Sequence, residues 1–187
     1  MINSFDRSVI DTIQDAEAAW LTSVMLTFTF IGSTIVVILL AIAITFLLIL
    51  KFGERSRASF FFITTMGTIY LFHALKFIFK RDRPEIHRLA EVGGYSFPSG
   101  HAMMAFSLYV LVTYLLWRHV QSIAGRISLV VIALFMIGMI SLSRIYLGVH
   151  YPSDIVAGWL ASAFLITLVA LLFRIINKRK KRRLVQD

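Results

Sequence analysis

Residues 24–50 read VMLTFTFIGSTIVVILLAIAITFLLIL, without a charged side chain anywhere in the run. A helix of about 20 apolar residues crosses the hydrocarbon of a bilayer, so this run is long enough to span, with a tilt or a bend near Gly32 taking up the excess. Four further runs follow, at residues 58–79, 99–117, 127–145 and 155–173. The second has only His73 and Lys76 as strongly polar members, and the fifth opens after Pro152, which suits a first helical position because its missing N–H would be unpaired there anyway. The expected fold is therefore all-α: a polytopic transmembrane bundle of five to six helices, forming one domain over residues 1–187.

Composition agrees with that reading. Hydrophobic residues make up 58% of the 187, and the mean hydropathy is +0.81. A chain of this size cannot hide that much apolar surface in a water-soluble core. With no Cys, disulfides, thiolate metal sites and a cysteine nucleophile are excluded. The net charge of +9 raises nucleic acid as a partner, but the run Lys178, Arg179, Lys180, Lys181, Arg182 and Arg183 directly follows an apolar segment. That placement reads as a membrane-surface anchor and a cytoplasmic tail over 178–187, with no nucleic-acid partner. The sequence sets no oligomeric state.

Sidedness follows from Lys and Arg. Lys51, Arg55, Arg57, Arg118, Arg126, Arg174 and the terminal run fall on one side, which the positive-inside rule assigns to the cytoplasm. The other side receives an acidic N-terminus. Residues 1–20 lack the basic start and continuous apolar stretch of a signal peptide. Phe5, Val9, Ile13 and Ala16, with Trp20 beyond, recur at helical spacing instead, and predict an amphipathic helix lying on the outer interface.

Polar residues cluster at the outer ends of the apolar runs. Lys76 and Arg83 stand seven residues apart; on one helix that is two turns, about 10 Å along the axis, so both could grip one phosphate. Lys76 alone could equally snorkel from a helix end. In Pro98, Ser99, Gly100 and His101 a loop becomes a helix, with Ser99 as N-cap and first-turn amides aimed at an anion. Taken singly, these residues could be no more than a capped helix start. Arg144 can hold phosphoryl oxygens through a planar fork that Lys would not reproduce. His150 precedes the fifth run, and Asp154 can reach back to one of its ring nitrogens, although a lone pair at this spacing is commonly a structural hydrogen bond. Lys80 and Arg81 read as headgroup or solvent contacts, and His73, His87 and His119 are left outside the site.

Spelled out, KFIFKRDRP, PSGH and SRIYLGVHYPSD resemble, in order and internal spacing, the three signature segments of the type-2 phosphatidic acid phosphatase superfamily. That resemblance covers residues 76–154. It implies that Lys76, Arg83, Ser99, Gly100 and Arg144 bind phosphate, that His150 attacks phosphorus with Asp154 in support, and that His101 protonates the leaving group. Water then hydrolyses a phosphohistidine. The bacterial branch of the family, with phosphatidylglycerophosphatase B and undecaprenyl-diphosphate phosphatases, implies a membrane lipid phosphate as substrate and an active site facing outward. No cofactor is implied. A metal at His101, His150 and Asp154 would sit beside three cations, so metal-free chemistry is expected. The competing readings are a vanadium haloperoxidase, which five apolar runs oppose, a phosphotransferase using a lipid diphosphate, and a small transporter.

Overall fold

The computed structural model describes residues 4–85 and 87–183, with side chains through Lys178. Among the described residues seven helices follow in order: α1 Ser4–Gln14, α2 Ala19–Ile31, α3 Thr34–Leu50, α4 Arg55–Phe79, α5 Gly100–Leu116, α6 Ile123–Tyr146 and α7 Pro152–Arg183. Among the described residues there is no strand. Helices α4, α6 and α7 are long and apolar enough to cross a membrane. The run at 24–50 is broken into α2 and α3, bent by 49°. The bend falls at Gly32 and Ser33, where a Cβ on residue 32 would lie 2.4 Å from Ile140 Cγ2 and 3.3 Å from the His101 ring. Only glycine lets α2 turn this close to α5 and α6.

Helix α5, at 17 residues, lies at the centre. Met103, Met104, Ala105, Leu108, Leu111 and Leu115 of α5 are almost fully buried, because α5 packs against α3, α4, α6 and α7. Small residues bring the helices together: a Cβ on Gly158 would already touch Met103 and the Ser99 carbonyl at 3.2 Å. Interhelical hydrogen bonds tie the same contacts, with Thr68 Oγ1 2.8 Å from Ser107 Oγ, Ser162 Oγ donating to Met103 O at 3.0 Å, and Trp159 Nε1 donating to Ser141 Oγ at 3.2 Å. In lipid such bonds contribute about 0.6–2 kcal/mol each. The outer faces carry Ile35, Leu39, Phe46, Phe135, Leu160 and Phe164, all exposed, as a lipid-facing surface requires.

One expectation changes at the N-terminus. The first helix ends at Gln14, and a separate helix begins at Ala19. The face of α1 turned to the protein carries Asp6 and Ile10, with Asp6 1% exposed and Phe5 54%. Helix α1 packs on α6 and α7 at the end of the bundle, and its register is set by polar partners of Asp6 that periodicity does not register. At the far terminus the basic run continues α7 to Arg183; the last part of the expected tail, residues 184–187, lies outside the described residues.

Candidate active site

Helix α4 stops at Phe79 because Lys80 turns left-handed, φ 45°, with its N–H on Lys76 O. Arg83 is therefore on the following loop, and the expected shared helix for Lys76 and Arg83 is not formed. The two still meet. The loop folds back so that Ser96 N donates to Arg81 O at 2.7 Å, and its carbonyls receive both cations: Lys76 Nζ donates to Tyr95 O at 2.5 Å and Ser96 O at 3.2 Å, while Arg83 donates to Gly94 O at 2.9 Å and Gly93 O at 3.1 Å, and also to Val149 O, in the turn after α6, at 2.8 Å. A lysine has three donors and an arginine five, so each keeps donors beyond those the loop occupies.

His150 is placed by a tight turn after α6. Gly148 has φ +69°, and a Cβ there would lie 2.5 Å from His87 O; both facts demand glycine. His150 N donates to Arg144 O at 3.2 Å, and the side chain is 2% exposed. Its ring is oriented from both sides. Nδ1 faces Asp154 Oδ2 at 3.4 Å and Ser96 Oγ at 3.3 Å, whereas Nε2 faces Arg83 Nη1 at 3.4 Å. These are long for hydrogen bonds, but they leave Nδ1 towards the carboxylate and Nε2 towards the cations. Burial pushes the imidazole down to about 3, against the raising effect of the Asp154 hydrogen bond, with Arg144, Lys76 and Arg83 acting in the same direction as burial. The Arg83 guanidinium is also pushed below its ordinary value, first by burial and then by Arg88.

Asp154, fully buried, distributes its oxygens. Oδ1 accepts from Arg81 Nη1 at 2.7 Å; Oδ2 accepts from Tyr151 N at 3.0 Å and from Ser96 Oγ in a very short contact. Arg81, expected to meet headgroups or solvent, instead bridges Asp154 and Asp6. Ser96 carried no signal of its own, being a small polar residue in a loop. Ser99 is fully buried and caps α5, its Oγ accepting from Ala102 N at 3.4 Å, and its own N–H donates to Asp154 O at 3.2 Å. Gly100 packs closely on α4, where a Cβ would lie 3.1 Å from the Phe72 ring.

His101 stands in the first turn of α5, at the end of the bundle that also carries Arg144 and His150. Arg144 Nη1 donates to Thr29 Oγ1 on α2 in a very short contact, and its Nε is buried without a hydrogen-bond partner among the described residues. A buried guanidinium N–H without a partner is costly; a phosphoryl oxygen is the group that suits it. Of the other histidines, His87 pairs with Glu17 at 2.6 Å, His73 stacks on Phe72, and His119 lies at the opposite end near Glu54. A cavity of about 570 Å³ also lies at that opposite end, lined by Phe60, Leu111, Tyr114 and Phe173 with Arg57 and Arg174. It touches none of the clustered residues, so its size says nothing about the chemistry.

All eight residues singled out from the sequence thus come from the ends of α4, α5, α6 and α7 and the loops between them. The family pattern of the PAP2 superfamily matches residues 57–179. The chain belongs to the PAP2 superfamily. Phosphatidylglycerophosphatase B of Bacillus subtilis is 28% identical over 170 residues, covering 90% of this chain and 83% of the relative. An undecaprenyl-diphosphatase of Sulfolobus acidocaldarius is 33% identical over 73 residues, 38% of this chain and 30% of that protein. Among solved structures, the transmembrane PAP2-type phosphatidylglycerolphosphate phosphatase of Bacillus subtilis superposes with a TM-score of 0.83 at 25% identity, covering 92% of this chain and 86% of that one. This PAP2 protein is a multi-pass membrane protein with the fold of a lipid phosphatase.

Proposed function

We propose that this PAP2 protein hydrolyses the terminal phosphate of a membrane lipid, phosphatidylglycerophosphate and/or undecaprenyl diphosphate, through a phosphohistidine. The orientation of His150 carries the reading: Nδ1 is turned to Asp154 and Nε2 to the cationic cluster, which is the arrangement an imidazole nucleophile needs. Nε2 attacks phosphorus and the bond to the lipid oxygen breaks. His101 gives that oxygen its proton, while Lys76, Arg83, Arg144 and the α5 amides hold the phosphoryl oxygens. Water, deprotonated by His101, then displaces His150 and frees phosphate. Asp154 accepts from the protonated Nδ1 throughout.

Recognition rests on the phosphate and on apolar contact with the tail, because the rim at residues 85–97 is too short to form a headgroup domain. Sidedness belongs to the same proposal. Lys51, Arg55, Arg57, Arg118 and Arg126 lie at the helix ends opposite the site, so the site faces outward under the positive-inside rule.

Side-by-side assays of phosphatidylglycerophosphate, undecaprenyl diphosphate and phosphatidic acid with purified protein test the activity. Inorganic phosphate release is expected. Transfer of the phosphate to a second lipid without release would identify a phosphotransferase, and a result with neither release nor transfer would leave a transporter.

A further inference from the structure

The N-terminal helix reaches the reacting centre through one arginine. Asp6 of α1 is 1% exposed. Its Oδ1 accepts from Ser153 N at 2.8 Å, and its Oδ2 accepts from Ser153 Oγ at 2.8 Å and Arg81 Nη2 at 3.0 Å. Ser153 is the second residue of α7, so Asp6 supplies, from another helix, the anionic partner that the positive end of α7 favours. Arg81 spans the gap: while Nη2 holds Asp6, Nη1 holds Asp154 Oδ1 at 2.7 Å and Ser153 Oγ at 2.8 Å. Its guanidinium lies 4.0 Å from the centroid of the Tyr151 ring. A planar fork packed on an aromatic face has little freedom to turn.

The consequence falls on Asp154. A carboxylate can rotate about its Cβ–Cγ bond and exchange its oxygens. Here Oδ1 is pinned by Arg81, so Oδ2 alone faces Ser96, Tyr151 N and the His150 ring. The same arginine is the counter-ion of a buried carboxylate, which must stay anionic to stabilise His150 as it gains positive character.

We infer that Asp6 and Arg81 are positioning residues, which fix the orientation and charge of Asp154 and through it His150, so that the amphipathic α1 is part of the catalytic apparatus. The inference rests on the proposed role of Asp154.

The test is a mutational cycle read by kinetics on phosphatidylglycerophosphate in detergent micelles. Arg81→Gln should lower kcat about 10- to 100-fold, the scale for groups that orient a working histidine, with KM little changed. Asp6→Asn should lower kcat less. The discriminating arm is the Asp154→Asn background: there Arg81→Gln should cost no more than about twofold, because a residue acting through Asp154 has nothing left to position. Arg81→Lys, which keeps charge and most of the volume, serves as the second variant if Gln lowers thermal stability, and its kcat should also fall while its melting temperature holds. Wild-type kcat in both Arg81 variants, or a full multiplicative loss in the Asp154→Asn background, would overturn the inference. If Asp154→Asn itself retains wild-type turnover, it is the role given to Asp154 that fails.

Discussion

Thr29 and Arg144, far apart in sequence, meet where the broken α2–α3 pair crosses α6: Arg144 Nη1 donates to Thr29 Oγ1, and Nε is left buried without a partner among the described residues. Thr29 thus fixes the guanidinium plane while part of its edge stays available to a phosphoryl oxygen. Arg144→Lys keeps the charge but loses both the fork and the tether, and should lower kcat/KM by about 10²-fold, the scale for one preorganised donor on a developing oxyanion. Thr29→Val should cost less. Since Lys76, Arg83 and Arg144 supply the positive charge, turnover should persist in EDTA; its loss, restored by one divalent ion, would contradict that account.

Gly148 gives a prediction about placement. Its φ of +69° and the 2.5 Å approach of a would-be Cβ to His87 O involve backbone on both sides, so alanine cannot be absorbed by a side-chain shift. The left-handed conformation alone costs alanine about 1–2 kcal/mol. Gly148→Ala should lower the melting temperature and also kcat, because the turn carries His150. A variant with wild-type kinetics and stability would show that the turn tolerates a Cβ.

The buried imidazole sets a pH dependence. With His150 pushed down to about 3 from 6.5, the folded protein holds the ring neutral, while the unfolded chain takes up a proton below 6.5. This contribution to stability is present above pH 6.5 and is lost as the pH falls from there towards 3, at up to about 1.4 kcal/mol per pH unit. Thermal unfolding in detergent between pH 7 and 4 should show a steeper decline for wild type than for His150→Gln. Equal slopes would mean that His150 titrates alike in both states.

Much of the site was legible because each motif is short and local: Ser99 to His101 open one helix, and Arg144 to Asp154 span one turn. The apolar runs fixed the helices for the same reason, down to the bend at Gly32. What failed was geometry between segments. The spacing of Lys76 and Arg83 suits one helix, and nothing in the sequence marks Lys80, a non-glycine residue, as left-handed. Arg81 reads as a surface charge and Asp6 as part of an acidic leader until α1 folds against α7. Thr29 and Ser96 gave no signal at all, since a hydroxyl in an apolar run or a loop has many uses, and only the tertiary fold selects one.

Sidedness can be tested with single cysteines, because the native chain has none. Glu91 lies in the loop beside the site and Gln121 between α5 and α6 at the other end, both exposed. In intact cells made accessible through the wall, a membrane-impermeant thiol reagent should modify Glu91→Cys and spare Gln121→Cys. The reverse pattern would turn the site towards the cytoplasm.

The most direct test of the chemistry is capture of the covalent intermediate. Protein mixed with lipid phosphate labelled in its terminal phosphorus and quenched in alkaline detergent, which preserves a phosphoramidate, should carry label on His150. His101→Ala, given a substrate with a good leaving group, should accumulate more of it, since attack proceeds while hydrolysis is slowed. His150→Ala should carry none and release no phosphate. Label retained in the His150→Ala protein, or phosphate released by it at the wild-type rate, would contradict the nucleophilic role of His150.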